Sequence, residues 1–181
     1  ARRQRQMCIR DSFGGTPFGG EATQGMERFP YNTLNAENPG ISGFGDLYQN
    51  INQMNLFISR TLHTDVLTES AKNYYLGQVY GLRAYYMYQL YRSWGDAVFT
   101  EEPSLGFEVG KLAKAATPAA EIFEQVKKDI ESSLSYFGSD YTIKEKKSLW
   151  SKAATLMLKA DVYLWSAHRD GGEGDARTAK N

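Results

Sequence analysis

Four stretches of this chain repeat their apolar side chains at the spacing of an α-helix, and that pattern limits the fold more than any other feature. Over 46–62, Leu47, Ile51, Met54, Ile58 and Leu62 recur every three or four residues and form one stripe, with Asp46 suited to cap the first turn. Over 70–94 the expected stripe is Tyr75, Val79, Leu82, Tyr86 and Leu90. Over 118–137 it is Ile122, Val126, Ile130, Leu134 and Phe137; Thr117 reads as its N-cap, Pro118 as its first residue and Gly138 as a left-handed stop. Over 149–168 it is Leu149, Ala153, Leu156, Ala160 and Tyr163, with Ser148 as cap, and a fifth helix begins near Ala176. The expected fold is all-α: stacked antiparallel helix pairs of a degenerate tetratricopeptide type, without a clean 34-residue repeat.

Two details inside 70–94 bear on packing. Gly77 and Gly81 lie one turn apart on one face. Each costs a helix about 1 kcal/mol against Ala, and close approach of a neighbouring helix offsets that cost. The stretch QLYRSWGD (89–96) then raises the question of why the helix ends on Arg92, Trp94, Gly95 and Asp96. Gly95 suits a left-handed cap, Asp96 suits a turn in which a carboxylate accepts backbone amides, and Trp94 reads as a packed indole. Arg83 and Arg92 are nine residues apart and point to opposite faces, so at most one serves a given site. Either has a candidate partner in Asp129.

The N-terminal part is different. Residues 2–11, Arg-Arg-Gln-Arg-Gln-Met-Cys-Ile-Arg-Asp, resemble a translated sequencing adapter, so 1–12 is set aside as a non-native tail. The single cysteine, Cys8, falls in that tail and says nothing about redox compartment. Without 2–11 the chain carries 17 basic and 20 acidic side chains, a balance of −3, which argues against a nucleic-acid binder. Residues 13–45 are loop-rich, with Gly, Pro, Asn and Thr in place of any helical or strand period. The helical region, 46–181, reads as truncated at its C-terminus, so helix surface there is expected to be left exposed.

Little in the chain points to catalysis. His63 and His168 lack metal-ligand spacing, GGEG (171–174) lacks the Lys-Ser/Thr of a phosphate loop, and adjacent Glu101 and Glu102 are not arranged as an acid–base pair. KEKK (144–147) reads as a short solvated charge run. No enzyme, metal site or cofactor is expected. No run approaches a membrane span of roughly 18 apolar residues. The tyrosines of 70–94 read as helix contacts rather than a ligand platform. In the loop-rich segment, Glu21, Thr23, Phe29, Tyr31 and Asn32 combine an aromatic surface with hydroxyl, amide and carboxylate groups, which suits stacking on and hydrogen bonding to a sugar.

Four ordered blocks carry a family likeness: LYQNINQMNLFI (47–58), GLRAYYMYQLYRSWGD (81–96), TPAAEIFEQVKKDIESSL (117–134) and SKAATLMLKADVYLW (151–165). With Tyr48, Ile51 and Asn55 in the first, Leu82-Arg83-Ala84 and Trp94-Gly95-Asp96 in the second, Asp129 in the third and Lys152-Ala153-Ala154 in the fourth, residues 21–181 resemble the SusD/RagB family of Bacteroidetes outer-membrane lipoproteins. Gln78 and Val98 depart from the glutamate and proline frequent there. The resemblance implies an N-terminal-half fragment with a tetratricopeptide-like fold. It implies non-catalytic capture of a glycan at the cell surface and delivery to a SusC-like, TonB-dependent outer-membrane transporter. A lipid anchor, missing from this fragment, would tie the protein to the membrane. The alternative is a tetratricopeptide-like scaffold or peptide-binding protein that takes no glycan.

Overall fold

The computed structural model describes residues 45–104, 114–145, 148–170 and 178–179. The described residues form four helices: α1 (Gly45–Leu62), α2 (Glu69–Trp94), α3 (Ala119–Phe137) and α4 (Lys152–Asp170). Residues 178 and 179 are helical again. The described residues hold no strand; their one β-type pairing is an isolated antiparallel bridge between Ala97 and Thr117. The all-α expectation is met. Helix α2 is the central element and packs against α1, α3 and α4, while α3 also packs against α4.

The core gathers where these helices meet. Ala84, Met87, Tyr88 and Leu90 of α2, Ile122, Val126 and Ile130 of α3 and Val162 of α4 are buried in one cluster with Ile51 of α1. Burying a large apolar side chain contributes about 1.5–3 kcal/mol, so this cluster is the main apolar stabilisation that binds the four elements. The stripe expected for α3 is correct: Ile122, Val126, Ile130 and Phe137 are buried and Leu134 is half-buried. Gly138 ends α3 at a φ of 52°, in the left-handed region that favours glycine.

The other stripes need correction. In α1 the buried residues are Ile51, Asn55, Ile58 and Thr61, and Leu62 is exposed. In α2 Tyr75 is exposed and Val79, Leu82 and Tyr86 are half-buried, whereas Leu76, Gly77, Gly81, Arg83 and Ala84 are buried. In α4 the buried line is Thr155, Leu158, Val162 and Ser166, and the expected Ala153, Leu156, Ala160 and Tyr163 flank it half-buried. The cause is shared. Each buried face carries small or polar residues whose partners lie on other helices, and an apolar count passes over them.

The expected close approach at the glycines is present. A Cβ on Gly81 would lie 2.2 Å from Trp150 Nε1 and 2.9 Å from Thr155 Oγ1, and one on Gly77 would lie 3.0 Å from the Phe137 ring. Glycine therefore lets the end of α3 and the start of α4 reach the α2 backbone. Ser133 donates to the Gly77 carbonyl at 2.6 Å and lies 2.9 Å from the Thr155 hydroxyl, which accepts from Trp150 Nε1 at 2.8 Å. A small polar cluster thus fills the space that side chains at 77 and 81 would occupy.

Two caps also differ. Helix α4 begins at Lys152, and Ser151 rather than Ser148 accepts from its first turn, at Ala154 N. Thr117 does not cap α3: Pro118 stands at the N-cap position without a side-chain cap bond, and Thr117 pairs through its backbone with Ala97 at 3.2 and 2.9 Å.

Candidate functional site

The end of α2 resolves the puzzle of QLYRSWGD. Gly95 turns the chain at a φ of 77°, and its N–H reaches the Tyr91 carbonyl. Asp96 accepts an amide as expected, but from a distant place: its Oδ1 takes Ala119 N at 2.8 Å. The residue that stops α2 is thus followed at once by the carboxylate that caps α3, at the positive end of its dipole. With the Ala97–Thr117 bridge beside it, this closes the base of the connection between the two helices. Trp94 is 40% exposed, so its indole stands at the surface rather than in the core.

The start of that connection is fastened to α1. Burial raises the Tyr48 phenol above its usual range, partly offset by a hydrogen bond with the Val98 backbone. Asn55 donates to the Thr100 carbonyl at 2.6 Å. Asn52 donates to the Ser104 carbonyl at 3.2 Å and accepts Ser104 N at 2.7 Å. Tyr48, Asn52 and Asn55 are four and three residues apart, one stripe of a helix. Side-chain amides here satisfy main-chain groups much as a neighbouring strand would.

Asn55 also belongs to a buried hub. Arg83 donates through Nε and Nη2 to the two oxygens of Asp129, both at 2.7 Å, and through Nη1 to Asn55 Oδ1 at 2.8 Å. Gln125 adds a bond to Asp129 Oδ1 at 2.9 Å. Arg83 and Asp129 are 3% and 1% exposed, so the pair stands only because its hydrogen bonds are made. Burial works to lower the Arg83 pKa, but the hydrogen bonds and charge of Asp129 outweigh it, and the guanidinium is held above its ordinary value. The hub ties α1, α2, α3 and the 98–104 segment together.

A groove of about 340 Å³ lies over this hub, lined by side chains of α1, α2, α3 and residues 101–103. Its polar members include Ser59, His63, Tyr80, Glu101, Gln125 and Lys128. The Tyr80 ring stacks on Tyr136 at 5.5 Å and takes the Arg83 guanidinium over it at 5.1 Å. Burial raises the Tyr80 phenol despite the lowering effect of Arg83. A wider depression of about 480 Å³ beside Phe57 and Val66 is mostly apolar.

The five residues expected to bind ligand, Glu21, Thr23, Phe29, Tyr31 and Asn32, lie outside the described residues, as do the tail 1–12, GGEG (171–174) and two lysines of KEKK (Lys146, Lys147). His63 and His168 are exposed, and no group of three potential metal ligands occurs among the described residues. The tyrosines of α2 divide: Tyr88 and Tyr91 are buried, Tyr74, Tyr80 and Tyr86 half-buried, and Tyr75 and Tyr85 exposed. Sequence reasoning missed the amide stripe of α1 and the groove. Asn52 and Asn55, a turn apart beside Ile51 and Ile58, were the available signal.

Residues 28–164 match a SusD-like family profile described as starch-binding and associating with the outer membrane. The chain belongs to the SusD-like family. It is 42% identical to a SusD superfamily protein from Bacteroides vulgatus, whose crystal structure superposes with a TM-score of 0.79 over 99% of this chain and 41% of that one. It is 48% identical to NanU of B. fragilis, with a TM-score of 0.78 over 97% of this chain and 37% of that one. A SusD-like protein, P38, of Formosa agariphila is 33% identical over 94 residues, 50% of this chain and 17% of the relative. The chain thus spans well under half the length of these relatives. No helix among its described residues is long and apolar enough to cross a membrane.

Proposed function

We propose that the protein containing this chain binds oligo- or polysaccharide at the outer face of the outer membrane without cleaving it. It then passes the glycan to a SusC-like, TonB-dependent transporter. The observation that carries this reading is the family match over residues 28–164, whose description joins starch binding to the outer membrane. A lipid anchor holds the protein at the membrane, and the helical array serves as a rigid frame. Glu21, Thr23, Phe29, Tyr31 and Asn32 contact the sugar, the rings by stacking and the polar groups by hydrogen bonds.

Calorimetry of the full-length protein with soluble starch, maltotriose and a panel of other glycans tests the reading. The expected result is saturable binding of at least one glycan, with no sugar released on prolonged incubation. Tyr31→Ala is expected to weaken binding by about tenfold or more, the cost of losing an aromatic anchor. Retention of peptide and of no glycan would overturn the reading in favour of a peptide-binding scaffold. Steady release of shorter sugars would overturn the non-catalytic part.

A further inference from the structure

We infer that the groove over the Arg83 hub is a separate carbohydrate contact, one that takes a single neutral sugar residue by its hydroxyl groups. The inference rests on the glycan reading above and adds a site on the helical frame itself.

The first argument is the free hydrogen-bonding capacity of its walls. His63 Nδ1 lies 2.7 Å from the Ser59 carbonyl. A carbonyl oxygen only accepts, so Nδ1 is the donor in that contact, and Nε2 is left to bond a hydroxyl group. Gln125 spends its Nε2 donor on Asp129, which leaves its Oε1 as an acceptor. Lys128 and Glu101 form a loose pair at 3.5 Å across the rim. An ammonium has three donors and a carboxylate about four acceptor positions, so one contact leaves both with capacity to spare. The groove therefore presents acceptors and donors side by side. A hydroxyl group both donates and accepts, and a sugar carries several in a fixed array.

The second argument concerns what the groove disfavours. The Arg83 guanidinium is committed to Asp129 and Asn55, and Lys128 is paired with Glu101. Glu102 adds negative charge to the same rim. No surplus of positive charge is left to attract an anion. The Tyr80 ring is already engaged by Tyr136 and Arg83, so a ligand that needs a bare aromatic face gains little.

The third argument is rigidity and size. The hub locks Gln125 and the 98–104 segment before any ligand arrives, which lowers the ordering cost of binding. The volume of about 340 Å³ lies at the small end of ligand sites, and the groove is open. Its contribution is a weak second attachment, and on a polymer such attachments multiply with others on the same chain.

The chain's two histidines, His63 and His168, make the test direct. Their ring-proton resonances in the full-length protein are assigned by His63→Gln and His168→Gln and followed by NMR during titration with maltotriose, laminaritriose and N-acetylneuraminic acid. Calorimetry is run on the same samples. Saturable movement of His63 with a neutral trisaccharide, while His168 stays still, is the expected result. Gln125→Ala should then weaken the affinity reported by His63 about fivefold, the worth of roughly one hydrogen bond. If calorimetry shows neutral-sugar binding and His63 does not move, the groove proposal is wrong and the glycan reading stands. If the anionic sugar moves His63 more than the neutral ones, the neutral-sugar assignment is wrong. Should calorimetry detect none of the three sugars, the glycan reading fails for these ligands and the groove proposal falls with it.

Discussion

Helix α2 carries two arginines that meet opposite treatment. Arg83 is buried, with three hydrogen bonds to Asp129 and Asn55 at 2.7–2.8 Å. Arg92, two and a half turns on, lies at the surface over the rings of Tyr88 and Trp165, at 5.3 and 4.8 Å, and reaches Asp161 only at 3.9 Å. Around Arg83 the polar network is closed. Around Arg92, Trp165 Nε1 is buried with no hydrogen-bond partner among the described residues, the buried Tyr88 hydroxyl has only a loose contact with the Asp161 carboxylate, and Met157 and Leu164 of α4 stand exposed. The hub around Arg83 is finished polar structure, whereas near Arg92 the α4 side keeps an unmet donor in Trp165 Nε1.

Substitutions sharpen that contrast. Asp129→Ala leaves a buried guanidinium uncompensated and is expected to cost about 3–5 kcal/mol, read as a large fall in Tm or loss of cooperative unfolding. A small effect would mean that water already reaches the hub. Asn55→Ala removes one acceptor for Arg83 and the donor to Thr100, and chemical denaturation should show a loss of about 1–3 kcal/mol. Gly81→Ala probes the seam where α2 packs against the start of α4. Its Cβ meets Trp150 and Thr155, so overpacking of about 1–3 kcal/mol should exceed the helix-propensity gain of about 1 kcal/mol. At the other end the effect should shrink. Tyr88→Phe removes a buried hydroxyl whose contact with Asp161 is loose, and equilibrium unfolding should show a change of less than about 1 kcal/mol. A clear loss there would show that Tyr88 and Asp161 are firmly bonded and erase the contrast. The smallest effect belongs to Asp161→Ala, below about 1 kcal/mol, because the Arg92 pair is loose and solvent-screened.

Helix existence and type were legible because apolar spacing survives in each segment. Faces were legible only where that spacing is clean. In α3 the aliphatic line at 122, 126 and 130 marks the core directly. In α2, Tyr85, Tyr86, Tyr88 and Tyr91 surround the helix, so the buried face is set by Gly77, Gly81 and Arg83, whose value depends on Phe137, Thr155 and Asp129 far along the chain. The same holds for caps. Thr117 before Pro118 is a sound local signal, but Asp96 supplies the carboxylate from across the connection and frees Thr117 to pair with Ala97. The groove was not legible, since its members come from three helices and a turn and none forms a motif alone. The Arg83–Asp129 pair was within reach because buried charges need partners.

The pinned feet of the α2–α3 connection have an evolutionary consequence. Residues 97 and 117 are held together by the backbone bridge and by Asp96, so both helices keep their positions whatever lies between. Lengthening a flexible connection between two fixed points costs only about 0.6 kcal/mol per doubling. Residues gained or lost, or an epitope inserted, between these pinned feet are therefore expected to carry little thermodynamic penalty for the frame.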